Sequence, residues 1–189
     1  MSDEMVGEIL ADAEDRMQKT IEALRRELSG IRTGRASPGL IERLEVDYYG
    51  TATPLNQLAG IGAPEARLLV VQPWDRGSMG AIEKAIRSSE LGLNPTNDGQ
   101  LIRIAIPALT EERRKSLVRV VRQKVEDDKV AIRNIRRDAL NDIKELLKEK
   151  MIGEDDERRA EHETQELTNR FIGEADKIGK HKEDEVLEV

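Results

Sequence analysis

Apolar residues recur every three or four positions near the start of the chain, at Val6, Leu10, Ala13, Met17, Ile21, Leu24, Leu28 and Ile31, with polar residues between them. That period predicts a long helix with one apolar stripe, beginning at Ser2 as N-cap. It returns in residues 110–152, through Val121, Val125, Ile132, Ile135, Ala139, Ile143 and Leu146. Pro107 stops what precedes this second helix, Thr110 can cap it, Glu111 and Glu112 suit its first turn, and Gly153 suits its C-terminal end. About forty helical residues extend roughly 60 Å. A third stripe follows the acidic turn at residues 154–157 and runs through Ala160, Leu167, Phe171, Ala175 and Ile178. One stripe on each of three long helices is buried most simply in a three-helix bundle.

Between the first two stripes the period changes. Leu44, Val46 and Tyr48 alternate with Glu45, Asp47 and Tyr49, and Gly50-Thr51 offers a turn. Residues 67–74 read as a continuous apolar strand, and Ile102, Ile104 and Ile106 alternate again. Residues 78–89 carry Ala81, Ile82, Ala85 and Ile86 at the spacing of a short helix. The expected class is therefore α+β: a discontinuous bundle of residues 1–30 and 107–189, with a small β-rich α/β domain inserted at 31–106. The chain crosses between them twice, and Gly30, Gly34 and Pro107 are the candidate hinge positions. The competing reading is a rigid elbow packed around Arg32 and Arg35.

Charge is sorted by segment. The chain is net −7, yet residues 110–152 hold 13 Lys and Arg against 9 Asp and Glu, whereas residues 153–189 hold 6 against 13. Lys115, Arg119, Arg122, Lys129, Arg133 and Arg136 recur at helical spacings, so they can share one face able to meet phosphates despite the bulk charge. Arg133, Arg136 and Arg137 bring planar forks that match phosphate oxygens two at a time. The plain alternative is a solvated face laced by pairs such as Arg133 with Asp138. Arg32 and Arg35, in a glycine-containing segment, either grip RNA or cap carbonyls at the hinge.

The aromatic set is Tyr48, Tyr49, Trp74 and Phe171, which leaves few rings for stacking on splayed bases and favours recognition of backbone and shape. The absence of cysteine excludes disulfides and thiolate metal sites. No apolar run approaches the ~20 residues of a membrane span, and the acidic N-terminus lacks a signal-like apolar region, so a soluble cytoplasmic protein is expected. His162 and Glu166 have the spacing of a helical metal pair but lie on an acidic helix that suits solvent, so no metal is expected. Gly60 and Gly62 are not followed by the Gly-Lys-Ser/Thr of a phosphate loop, and no nucleophile has a base at a suggestive spacing. A catalytic site and a cofactor are not expected. A helical adaptor binding proteins through its acidic third helix stays open, and a metal-dependent hydrolase built on His162 ranks last.

Several ordered motifs carry a resemblance. They are Ile-Arg-Thr-Gly-Arg-Ala-Ser-Pro at 31–38, Asp-Tyr-Tyr-Gly-Thr at 47–51 with Thr-Pro-Leu at 53–55, Glu-Lys-Ala-Ile at 83–86, and Leu-Gly-Leu-Asn-Pro at 91–95. Leu-Thr-Glu-Glu-Arg-Arg-Lys at 109–115 and Val-Ala-Ile-Arg-Asn-Ile-Arg-Arg-Asp-Ala at 130–139 complete the set. From the first helix to about residue 177, the chain resembles ribosome recycling factors. The resemblance implies an L-shaped, tRNA-like molecule, monomeric, that enters the post-termination ribosome and, with elongation factor G and GTP, helps part the subunits. It implies that elongation factor G hydrolyses the nucleotide and acts on the inserted domain. It also implies that Arg136 is the principal contact to large-subunit ribosomal RNA, with Arg133 and Arg137 in the same motif and Arg32 and Arg35 near the hinge. Helical spacing adds Lys129 and Arg122 to the RNA-binding set. Three features depart from the family pattern: Asp127-Asp128 beside the basic stripe, Gly173 and Gly179 in the third helix, where fraying is expected, and the charged tail at 180–189.

Overall fold

The computed structural model describes residues 2–188; Met1 and Val189, which belong to the expected bundle segments and the charged tail, lie outside the described residues. The chain forms two compact units, one reaching to Arg32 and resuming at Glu111, the other spanning Thr33–Thr110. These limits fall later than the expected 30/31 and 106/107. Ile31 packs on the bundle core and its N–H donates to Leu28, while Leu109, beyond the expected second limit, lies against Gly34 of the second unit.

The first unit is three helices: α1 (Ser2–Ser29), α3 (Glu111–Lys148) and α4 (Glu154–Leu187). Their stripes meet in one core of Ala13, Met17, Ile21, Leu24 and Leu28 from α1, Val121, Val125, Ile132, Ile135 and Ala139 from α3, and Phe171 and Ala175 from α4. A smaller cluster of Ile143, Ile152 and Ala160 closes the end where α3 turns into α4. Gly153 does not terminate α3 as expected. Lys150 takes the left-handed conformation there (φ 58°), the Met151 N–H reaches back to the Leu146 carbonyl, and Gly153 is instead the N-cap of α4. The core of α4 also includes Thr164 and Thr168, whose hydroxyls donate to the carbonyls of Ala160 and Thr164 and so meet the hydrogen-bonding demand of burial.

The glycines of α4 do not fray it, because the helix is continuous to Leu187. A Cβ placed on Gly179 would lie 2.5 Å from a Val125 methyl, so the absent side chain is what lets α4 close onto α3. Gly173 has open space where its Cβ would point. Beyond Gly179, Val186 is fully buried and Glu183 is tied to α3, which secures the charged end of the helix.

In the second unit, β1 (Glu45–Tyr48) and β2 (Thr51–Pro54) form an antiparallel ribbon with Tyr48 opposite Thr51. The turn is therefore Tyr49-Gly50 rather than Gly50-Thr51. Both residues have positive φ (50° and 86°), as a two-residue turn between twisted strands requires, and Asp47 accepts the Gly50 N–H at 2.8 Å. A four-stranded antiparallel sheet follows in the order β3-β4-β6-β5, from Ala59–Glu65, Leu68–Pro73, Ile102–Ala105 and Pro95–Asn97. Helix α2 (Met79–Ser88) buries Ile82 and Ile86 in a core with Ile41, Leu55, Leu69, Val71, Ile102 and Ile104.

Candidate nucleic-acid interface

The buried positions of α3 leave the opposite side of a 38-residue helix to its charges, and at 100° per residue Lys115, Arg119, Arg122, Lys129, Arg133, Arg136 and Arg137 fall within one broad face. Lys144, seven residues beyond Arg137, extends it and was missed by the sequence reading, although the same spacing points to it. This face borders α4, which supplies partners to Arg122, Lys129 and Arg136.

Toward the end where α4 finishes, the partners are carboxylates. Arg122 makes a two-point pair with Glu183, Nε to Oε1 at 3.0 Å and Nη2 to Oε2 at 3.1 Å, which raises its pKa further. Lys129, its side chain only 14% exposed, lies 2.7 Å from Asp176 and 3.3 Å from Glu126. The hydrogen bond to Asp176 outweighs desolvation and holds its pKa up. Lys115 pairs with Glu111 at 2.8 Å. Arg122, whose side chain stays 67% exposed, and Lys129, both expected in the RNA-binding set, are thus each paired with an acid of α4.

Further along, the partners change. Arg136 is half-buried and donates from Nη1 to Oε1 of Gln165 at 2.8 Å. Gln165 in turn donates from Nε2 to Oδ1 of Asn169 at 2.8 Å. The Nε of Arg136 is buried without a partner among the described residues, and its Nη2 makes no hydrogen bond among them. Arg133 and Arg137 are exposed and form no ion pair among the described residues. The pair of Arg133 with Asp138 that the plain alternative offered is absent there: five residues apart, the two point about 140° away from each other, and Asp138 accepts from Arg16 of α1 at 2.9 Å. Residues 133–137 therefore present three guanidinium groups without a carboxylate partner among the described residues, one of them held by a neutral amide, a positive stretch that suits phosphate oxygens.

Asp127 and Asp128 do not both lie beside the stripe. Asp127 is exposed and accepts from Gln123 at 2.8 Å, whereas Asp128 turns into the bundle, 9% exposed, with Oδ2 unpartnered. Desolvation, and then the charge of Glu27, raise its pKa to about 6.

Arg32 closes the first unit, is exposed, and makes no hydrogen bond or ion pair among the described residues, so it caps no carbonyl among them. Arg35 belongs to the second unit. Of the hinge candidates, Gly34 needs to be glycine: its φ is 75° and a Cβ would lie 3.0 Å from the Leu109 side chain. Gly30 has no such constraint, and Pro107 is exposed.

Two of the four aromatics lie at the surface of the second unit, Tyr49 at 76% and Trp74 at 69% exposure. Tyr48 and Tyr49 both donate to Oδ2 of Asp75, at 3.2 and 3.1 Å. The Gly77 N–H and then the Tyr49 hydroxyl lower the Asp75 pKa. His162 approaches Glu166 at 3.3 Å on an exposed face, and among the described residues no three His, Cys, Asp or Glu side chains are grouped to hold a metal. No helix of the described residues is long and apolar enough to cross a membrane.

A family model described as "Ribosome recycling factor" matches residues 24–187. The chain is 69% identical over 185 residues to a ribosome-recycling factor of Thermomicrobium roseum, covering 98% of this chain and 100% of that one. It is 57% identical, with the same coverage, to the ribosome-recycling factor of Carboxydothermus hydrogenoformans. Among solved structures, a solution structure of a ribosome recycling factor superposes with a TM-score of 0.72 at 43% identity, covering 97% of this chain and 98% of that one. A second, with a TM-score of 0.62, 53% identity and coverage of 96% and 98%, is the T. thermophilus ribosome recycling factor, described with E. coli elongation factor G as bound to the E. coli post-termination complex.

Proposed function

The chain belongs to the ribosome recycling factor family, and on that footing we propose that it binds the post-termination ribosome and, with elongation factor G and GTP, promotes its separation into subunits. The bundle acts as a stiff wedge, and residues 133–137 of α3 are its grip on large-subunit RNA. Arg32 and Arg35 add contacts near the chain crossings, where Gly30, Gly34 and Pro107 serve as hinge positions. The factor works as a monomer in the cytoplasm, without a catalytic centre or cofactor of its own; elongation factor G hydrolyses the GTP.

The observation that carries this reading is the stretch at Arg133, Arg136 and Arg137, which has no carboxylate partner among the described residues and whose Arg136 is held by the neutral Gln165. The adaptor alternative fits less well, because Glu174, Asp176 and Glu183 of α4 are engaged by Arg25, Lys129 and Arg122 within the bundle. The test is a subunit-splitting assay on purified post-termination ribosomes with elongation factor G and GTP. The wild-type chain should split them, and Arg136→Ala should slow splitting at least tenfold, the scale of a lost charged contact of about 1.4 kcal/mol or more. Splitting at the same rate without the chain would remove the reading.

A further inference from the structure

The three interhelical partners of the basic face form a series. Arg122 meets Glu183, Lys129 meets Asp176, and Arg136 meets Gln165. The first two partners both orient and neutralise their cation. The third can only orient, because an amide oxygen accepts a hydrogen bond while carrying no net charge.

We infer that Gln165, held by Asn169, is a positioning residue for Arg136: it fixes the guanidinium at the α3–α4 groove through Nη1 while leaving its full charge to an external phosphate. The site is therefore built on two helices. This inference rests on the proposed RNA-binding role of α3 and extends it to α4. Its physical basis is rotamer freedom. An unrestrained arginine must be ordered when it binds, whereas one already held at Nη1, with its Nε buried, has less freedom to lose. Asn169 restricts the amide in the same way, since its Oδ1 takes the Gln165 Nε2 donor and so leaves Oε1 directed at Arg136. A carboxylate at 165 would hold Arg136 as well or better, but would close this site as Glu183 closes the one at Arg122.

The test measures affinity for purified large ribosomal subunits as a function of salt, using the full chain and Arg136→Ala, Gln165→Glu and Gln165→Met, with thermal melting of each in parallel. Gln165 is exposed on a helix, where glutamate and methionine are both good helix formers. Gln165→Glu should melt no lower than wild type yet bind roughly tenfold more weakly, with the log–log salt slope shallower by about one. Gln165→Met keeps the charge and loses the tether, so affinity should fall about threefold with the slope unchanged. If Arg136→Ala loses affinity and slope while Gln165→Glu keeps both, or while Gln165→Met binds as wild type does, the inference is overturned and the RNA-binding role of α3 stands. If Arg136→Ala itself binds normally, that role falls and the inference with it.

Discussion

Asp128 occupies a core slot. Among the buried positions Val121, Val125, Ile132, Ile135 and Ala139, Val125 and Ile132 lie seven positions apart, and a helix places residue 128 on the same side between them. A carboxylate there is costly unless protonated, which is why its pKa rises to about 6 from the ordinary 3.8. Because the folded protein holds this proton more tightly than the unfolded chain, the contribution to stability is full below pH 3.8 and is lost as pH rises through about 6. Between pH 7 and pH 5 wild type should gain about 1 kcal/mol relative to Asp128→Asn in denaturant titrations. Parallel stability curves for the two proteins would refute the assignment. The slot was legible in the periodicity, but its occupant was read as surface charge because an acid beside a basic run invites that reading. Gln165 and Asn169 had no such signal, since exposed polar residues on a polar helix face carry no period of their own.

The helices were the most legible elements, because burial on one side imposes a period of about 3.6 that the alphabet of side chains records. The strands missed were those that bury least. In β3 only Ala59 is buried, and β5 is a three-residue edge strand beginning at Pro95, so neither shows the alternation of a half-buried strand. The two glycines of α4 look equivalent in sequence and are opposite in packing. Gly173→Ala adds a methyl to open space and should stabilise the bundle by about 1 kcal/mol, raising Tm by roughly 2–4 °C. Gly179→Ala drives a Cβ into Val125 and should destabilise it by about 1–3 kcal/mol. Thermal melts of the pair distinguish the cases; a stabilised Gly179→Ala would mean that the α3–α4 approach is looser than described.

Across the entire chain, the acidic surplus and the basic helix coexist because many pairings are internal. Arg16 with Asp138, Lys124 with Glu27 and Arg25 with Glu174 bind helix to helix, as does Arg170, which also stacks on Phe171, with Glu14. Each exposed pair adds little to stability. Their larger consequence is selection: along α3 they engage Arg122, Lys124 and Lys129, while Arg133 and Arg137 keep no ion pair among the described residues. Which cations stay open depends on partners 29 to 61 residues away in α4, and a linear reading cannot register them. The decisive measurement is the salt dependence of binding to purified large ribosomal subunits for wild type and an Arg133→Ala/Arg137→Ala double variant. The open stretch predicts a log–log slope shallower by roughly two in the variant, with its melting temperature unchanged. Superimposable slopes for the two proteins would contradict it.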